Sequence, residues 1–296
     1  MTSVPVMQAS QHAEHAAEAV GVPAAEGVTL AYDQHVVSSA LDLTLPESGF
    51  TVIIGPNGCG KSTLLRAFAR LLQPQAGRIL IDGKDVRGLR GKDLARKIGF
   101  QPQSAIAPDG ITVFDLVARG RYPHQSLVSR WSKADAESVH MALAATGMDE
   151  HASRPVAELS GGQSQRAWVA MALAQESPCL LLDEPTTFLD MAYQVQLLNL
   201  FADLNRVLGR TIIAVLHDVN HAARYAENLV VMNNGDVVAA GPPGEVLTSQ
   251  LLLEVFGVQA TIIEDPVNSG PLVVTHHSAG GGIFPSGTSQ PAGISE

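Results

Sequence analysis

Apolar positions gather into short unbroken runs, separated by longer stretches of mixed character. Runs at 51–54, 98–100, 179–183, 211–216 and 229–232 are each of strand length. A strand that is apolar at nearly every position, rather than every second one, fits a parallel sheet buried on both faces. Helical patterns follow several of these runs. After the first, residues 61–72 place Leu64, Leu65, Phe68, Leu71 and Leu72 at helical spacing. Between about 104 and 160 the pattern changes. Residues 113–119 and 133–146 read as helices and no clear strand appears, so this segment is expected to be a helical insertion. The whole predicts an α/β chain with a mostly parallel sheet covered by helices. No internal repeat is visible.

Composition sharpens this picture. The chain has 296 residues, 46% hydrophobic, 16% charged and 5% aromatic, which suits a large core with an inserted subdomain. A net charge of −10 argues against a general affinity for nucleic acid phosphates. Two cysteines, Cys59 and Cys179, suggest no disulfide framework and fit a reducing compartment. No apolar run approaches the ~18 residues that would span a bilayer. The first 26 residues contain His12, Glu14, His15 and Glu18 among alanines, unlike a secretory signal. A cytoplasmic location is expected, with any membrane role exercised by docking on a spanning partner. Residues 1–26 read as a flexible extension, 27–265 as one globular unit, and 266–296, with Gly280, Gly281 and Gly282, as a flexible tail. Histidines in these tails (His12, His15, His276 and His277) could bind metal, but they bring no closed ligand set and read as solvated.

The candidate chemistry begins at residues 55–63, Gly-Pro-Asn-Gly-Cys-Gly-Lys-Ser-Thr, which fit G-x-x-x-x-G-K-[ST] between a strand and a helix. Gly55, Gly58 and Gly60 let backbone N–H groups approach phosphate oxygens. Lys61 supplies a cation for the β- and γ-phosphates and Ser62 a hydroxyl for Mg²⁺. The helix N-terminus adds its partial positive charge. A second signal ends the run at 179–183, where Asp183 and Glu184 meet the carboxyl end of a buried strand. Asp183 can reach Mg²⁺, and Glu184 can orient or deprotonate an attacking water. A third signal is Leu159-Ser160-Gly161-Gly162-Gln163 at the start of a helix over 164–175, another anion-binding terminus. Two phosphate-binding elements facing one nucleotide within one chain would be redundant. A head-to-tail pair of chains, each closing the other's site, resolves this.

With these three motifs in this order, the chain resembles the ATP-binding subunits of ABC transporters over about residues 27–265. The resemblance implies a phosphate-loop NTPase cassette: α/β, a mostly parallel core sheet, an antiparallel β edge region and a helical subdomain insertion. Gly55, Pro56, Asn57, Gly58, Cys59, Gly60, Lys61, Ser62 and Thr63 match Walker A, and 179–184 match Walker B. Leu159 to Gln163 match the signature that contacts the partner's nucleotide. Asp190 matches the D-loop aspartate, His217 the switch histidine, Gln103 the Q-loop glutamine and Tyr32 the aromatic that stacks on adenine. Gln101 is a near neighbour of Gln103 and an alternative for that role. The implied cofactors are ATP and Mg²⁺, the metal being held by Ser62, Gln103 and Asp183, with Glu184, His217 and Gln103 in the catalytic roles.

Finer strings narrow the branch. Gly120-Arg121-Tyr122-Pro123-His124, Arg166-Ala-Trp168, Leu216-His-Asp-Val-Asn220 and Ala223-Arg-Tyr-Ala226 resemble iron–siderophore, haem and cobalamin importer ATPases. The resemblance implies ATP hydrolysis that powers uptake of iron(III)–siderophore complexes, with cobalamin or haem as alternative cargo and a soluble non-transport ATPase as the more distant one. It also implies a second copy of this chain, transmembrane permease subunits, indirectly an extracytoplasmic substrate-binding protein, no nucleic acid partner, and a peripheral position on the cytoplasmic face of the membrane.

Overall fold

The computed structural model describes residues 21–103, 106–125 and 131–276. The chain opens with β1 (Pro23–Tyr32) and β2 (His35–Thr44), then β3 (Phe50–Ile54), α1 (Lys61–Phe68), β4 (Ala76–Ile81), β5 (Lys84–Asp85), α2 (Gly91–Lys97) and β6 (Ile98–Gln101). The helical segment holds α3 (Val113–Ala118), a 3₁₀ turn (Arg119–His124), α4 (Lys133–Ala145) and α5 (Gly161–Ala174). There follow β7 (Cys179–Asp183), α6 (Met191–Leu208), β8 (Thr211–Val215), α7 (Val219–Tyr225), β9 (Asn228–Asn233) and β10 (Asp236–Gly241). The described residues end with α8 (Pro243–Val246), α9 (Ser249–Phe256), β11 (Ala260–Glu264) and β12 (Pro271–Thr275).

The five apolar runs form five of the six strands of a sheet in the order β10-β9-β3-β8-β7-β6. All neighbours are parallel except the edge strand β10, which runs antiparallel to β9. Strands β3, β7 and β8 are buried at every position, as their unbroken apolar sequence requires. Because successive side chains point to opposite faces, each strand feeds two cores. Val52, Ile54, Leu180, Leu182, Ile212 and Ala214 face the helical side with Leu198 and Phe201 of α6. Ile53, Leu181, Ile213 and Val215 face the other side, where Leu64, Leu65 and Phe68 of α1 meet Val28, Leu30, Leu41 and Leu43.

That second layer is a four-stranded antiparallel sheet, β2-β1-β4-β5. Its strands carry an alternating signal (Val28, Leu30 and Tyr32; Leu41 and Leu43) instead of an unbroken apolar run. Helix α1 stops at Phe68, short of the expected 72. Arg70 adopts a left-handed backbone at φ 57°, and the N–H groups of Leu71 and Leu72 both fold back to Arg66 O. The helical layer is larger than the expected 104–160, since α5 packs with α3 and α4 in one core.

The expected unit boundaries also move. Residues 1–20 lie outside the described residues, but Pro23 already belongs to β1, four residues before the expected start at 27. At the other end, 271–275 form β12, paired antiparallel with β11, so ordered chain runs past the expected limit of 265. Val273 is buried against the helical core, which supplies the burial that composition did not suggest. His276 closes this hairpin through Thr261 Oγ1 at 2.6 Å and is not part of a solvated tail. His12, His15 and His277, considered for metal, lie outside the described residues.

Candidate nucleotide-binding site

Strand β3 delivers the phosphate loop to the carboxyl edge of the core sheet. The loop's tight path has a steric cause. Gly55 has φ 154°, and a Cβ there would strike the carbonyl oxygen of Met232 in β9. Gly60 takes the N-cap position of α1 with φ 104°. The Lys61 side chain turns back over the loop, and its Nζ donates to the carbonyls of Gly55 and Pro56, both at 2.8 Å. Among the described residues no carboxylate pairs with it. Lys61 is therefore a buried ammonium held by two backbone carbonyls and the Cys59 thiol, 3.9 Å away.

Strand β7 brings two acids to the same edge. Asp183 is fully buried. Its Oδ1 accepts from Ser62 Oγ at 2.7 Å, while Oδ2 has no hydrogen-bond partner. Burial pushes the Asp183 carboxyl above its ordinary value, opposed by the Ser62 hydrogen bond and reinforced by the charge of Glu184. Glu184 has a left-handed backbone at φ 52°, uncommon outside glycine, and this turns its side chain back towards the loop. Its Oε2 accepts from Gln103 Nε2 at 2.6 Å and from Thr187 Oγ1 at 3.2 Å, and its Oε1 lies 2.6 Å from His217 Nε2. Gln165 of α5 donates to the Glu184 carbonyl at 3.3 Å.

These elements enclose a cavity of ≈ 370 Å³ lined by Asn57, Gly58, Gly60, Lys61, Ser62, Thr63, Gln103, Glu184 and His217, with Val37 of β2 closing one side. Gly55, Pro56 and Cys59 form the loop's underside. Gln103, not Gln101, reaches the cavity. Gln101 is buried in β6 and donates to Pro102 O. Tyr32 lies apart from the lining at the end of β1, 41% exposed, its hydroxyl accepting from Arg66 of α1 at 3.2 Å. Val37 and Gln165 were not foreseen. Val37 belongs to the alternating strand just described, and Gln165 reaches Glu184 from 19 residues away, a tertiary contact that leaves no local signal.

The signature segment lies elsewhere. None of Leu159, Ser160, Gly161, Gly162 and Gln163 lines this cavity. Ser160 caps α5: its Oγ accepts from Gln163 N, and Gln163 Oε1 accepts from Ser160 N at 3.0 Å. Ser160 and Gly161 are exposed. Phe188, 73% exposed with φ 66°, lies beside Gly161, and Asp190 caps α6 by accepting from Tyr193 N at 3.0 Å. The start of α5 is thus open to solvent, with exposed Phe188 beside it.

Comparison with known proteins gives a consistent result. A family model described as ABC transporter matches residues 38–187. The chain is 50% identical over 249 residues to the ferric enterobactin transport ATP-binding protein of Escherichia coli (strain K12), covering 84% of this chain and 92% of that protein. It is 47% identical to the petrobactin import ATP-binding protein FpuD of Bacillus anthracis, covering 84% of this chain and 91% of the other. Among solved structures it is similar to a dimeric ATP-binding cassette in a post-hydrolysis state bound to ADP and Pi. That match has a TM-score of 0.68 at 27% identity over 75% of this chain and 98% of the other.

Proposed function

The chain belongs to the ABC transporter family of ATP-binding proteins, and on that premise we propose that it hydrolyses ATP to power uptake of iron(III)–siderophore complexes. The identity to ferric enterobactin and petrobactin ATP-binding proteins supports the cargo. The single observation that supports the chemistry is the convergence of Lys61, Ser62, Gln103, Glu184 and His217 on one cavity, with Asp183 buried behind it and bonded to Ser62.

In this proposal Lys61 and the loop N–H groups hold the β- and γ-phosphates. Glu184 accepts a proton from the attacking water, or orients that water, and His217 steadies the carboxylate from the other side. Glu184 Oε2 already accepts from Gln103 and Thr187, whereas Oε1 faces His217 alone and keeps acceptor capacity for a water. The site suits Mg²⁺: an unpartnered, fully buried carboxylate oxygen beside a hydroxyl is an oxygen donor set for a hard cation. Ser62 and Asp183, with Gln103, would hold the ion, which neutralises phosphate charge when bound.

The signature face supports a head-to-tail homodimer in which Leu159 to Gln163 complete the partner's site. Membrane attachment goes through permease subunits, since among the described residues no helix is long and apolar enough to cross a membrane. We place the permease on the helical layer near Gln103 to Asp115, where Ile106 is almost wholly exposed. A groove lies between α2 and the 3₁₀ turn, with Ala95, Tyr122 and Met171 in its lining beside Lys92, Arg119 and Gln175. A binding protein outside the membrane would deliver the cargo to the permease. The test is uptake of ⁵⁵Fe-labelled ferric siderophore by cells lacking the gene and complemented with the parent chain or with Glu184→Gln. Uptake restored only by the parent is expected. Restored cobalamin uptake without iron uptake would overturn the cargo and leave the chemistry.

A further inference from the structure

His217 is carried by the short link between β8 and α7, so its place depends on where α7 sits. Helix α7 has seven residues, far below the ~12–15 at which an isolated helix begins to hold itself together. Its position is therefore set by what it is fastened to. Two of its side chains, Asn220 and Arg224, are four residues apart and share one face. Both belong to the sequence strings that marked the importer branch, and neither has a part in the nucleotide cavity.

Both reach the β11–β12 hairpin. Asn220 behaves like a neighbouring strand: its Oδ1 accepts from Val273 N at 2.8 Å and its Nδ2 donates to Val273 O at 3.1 Å. Arg224 grips Asp265 Oδ2 through Nη2 at 2.6 Å and Nε at 3.2 Å. Asp265 is only 3% exposed, and its Oδ1 accepts from Val267 N at 2.9 Å, so the acid is fixed in turn. Asn268 Nδ2 donates back to the Arg224 carbonyl at 3.4 Å. Beneath these bonds Ala222 and Ala223 of α7 share one apolar core with Ala260 and Val273 of the hairpin. At its N-terminus α7 is capped by Asp218, next to His217, whose Nε2 lies 2.6 Å from Glu184 Oε1.

We infer that Asn220 and Arg224 are positioning residues for ATP hydrolysis, fastening α7 to the β11–β12 hairpin and so holding His217 against Glu184. The inference rests on the roles given above to His217 and Glu184. It makes the hairpin part of the hydrolytic apparatus at one remove, rather than a terminal appendage.

The experiment is steady-state ATP hydrolysis by the full chain, with ATP affinity and Tm measured alongside. Asn220→Ala and Asp265→Asn are expected to lower kcat roughly tenfold or more while KM for ATP stays within about twofold, because a small misplacement at the reacting centre costs rate, not ground-state binding. Arg224→Lys, which keeps a cation for Asp265, should recover much of the turnover lost in Arg224→Ala. In ¹⁵N spectra of the histidine rings, the signal that vanishes in His217→Ala should shift in Asn220→Ala. If the alanine variant does not fold, Asn220→Asp keeps the acceptor for Val273 N, loses the donor, and is held to the same outcomes. Folded variants with a lower Tm but parental kcat and an unmoved His217 signal overturn the inference. A His217→Ala chain that turns over at the parental rate overturns the role of His217 itself. Loss in His217→Ala without loss in the Asn220 and Asp265 variants overturns the clamp alone.

Discussion

Asp183 and Asp135 are both buried, yet the two regions that hold them treat the charge in opposite ways. In the helical layer, Asp135 of α4 has both oxygens engaged. Oδ1 accepts from Arg121 Nε at 2.9 Å, and Oδ2 accepts from Ser132 N and Oγ at 2.9 and 2.8 Å. Arg121 also donates to Ala174 O and Glu176 Oε2, each at 2.7 Å, so one guanidinium ties the 3₁₀ turn, α4 and the end of α5 together. Burial works to raise the Asp135 carboxyl, but the hydrogen bonds from Arg121 and Ser132 prevail and hold it below its ordinary value. At the nucleotide edge, Asp183 keeps one oxygen without a partner and its carboxyl is pushed up by burial. Buried charge that is fully paired serves the fold, and buried charge left short of partners marks where a ligand belongs.

This contrast can be broken most sharply at Glu184. Glu184→Gln is expected to lose ~10²–10⁴-fold in the rate of ATP hydrolysis while keeping ATP binding and Tm, as befits a general base. Hydrolysis at the parental rate, measured by phosphate release, would remove the nucleotide edge from its side of the comparison.

Arg121→Ala should do the reverse. It leaves Asp135 buried without its cation, a type of loss that costs about 3–5 kcal/mol of stability. Thermal unfolding should fall by several degrees, while hydrolysis per folded molecule stays near the parental value at a temperature below both transitions. A folded Arg121→Ala chain with little change in Tm would show that the helical network is not the structural member of the pair.

The smallest effect separates the two acids by the sign of their pH dependence. The folded chain holds a proton on Asp183 more tightly than the unfolded chain does, so this site's contribution to stability falls as pH rises above the ordinary carboxylate range. Asp183→Asn should therefore raise Tm by a few degrees near neutral pH, with the gain shrinking as pH is lowered into that range. Asp135 has the opposite sign. Its contribution is present above the ordinary carboxylate value and is lost as pH falls through the lowered folded value. Asp135→Asn should lower Tm near neutral pH, with the deficit shrinking in acid. Parallel profiles for the two variants in differential scanning calorimetry would erase the distinction.

The phosphate loop, both acids and the capped signature helix were legible in the sequence because each is a local device. Strand, turn and helix follow one another within a dozen residues, and an unbroken apolar run specifies a doubly buried strand wherever it falls. The four-stranded sheet and the terminal hairpin were harder to see. Their strands are half-buried, so their alternation is diluted by exposed polar positions, and their stability comes from partners far along the chain. Strand β12 illustrates this: its sequence, Pro271–Thr275, lies in a Gly- and Ser-rich stretch and gains its place from β11 and Asn220.

The sequence by itself determined which residues are candidates for the chemistry: a lysine and a serine at the start of the helix after one strand, and two carboxylates at the end of another, which a parallel sheet brings to one edge. Only the tertiary structure decided how they meet. Gln103 and Glu184 are 81 residues apart, and their 2.6 Å contact follows from β6 lying beside β7 in the sheet. It likewise decided that Gln103 rather than Gln101 faces the cavity, and that Leu159 to Gln163 lie outside its lining. Local spacing encodes short-range geometry directly. Long-range pairing is settled by which packing buries the most apolar surface while leaving the fewest buried polar groups unpaired, and that sum runs over the whole chain at once.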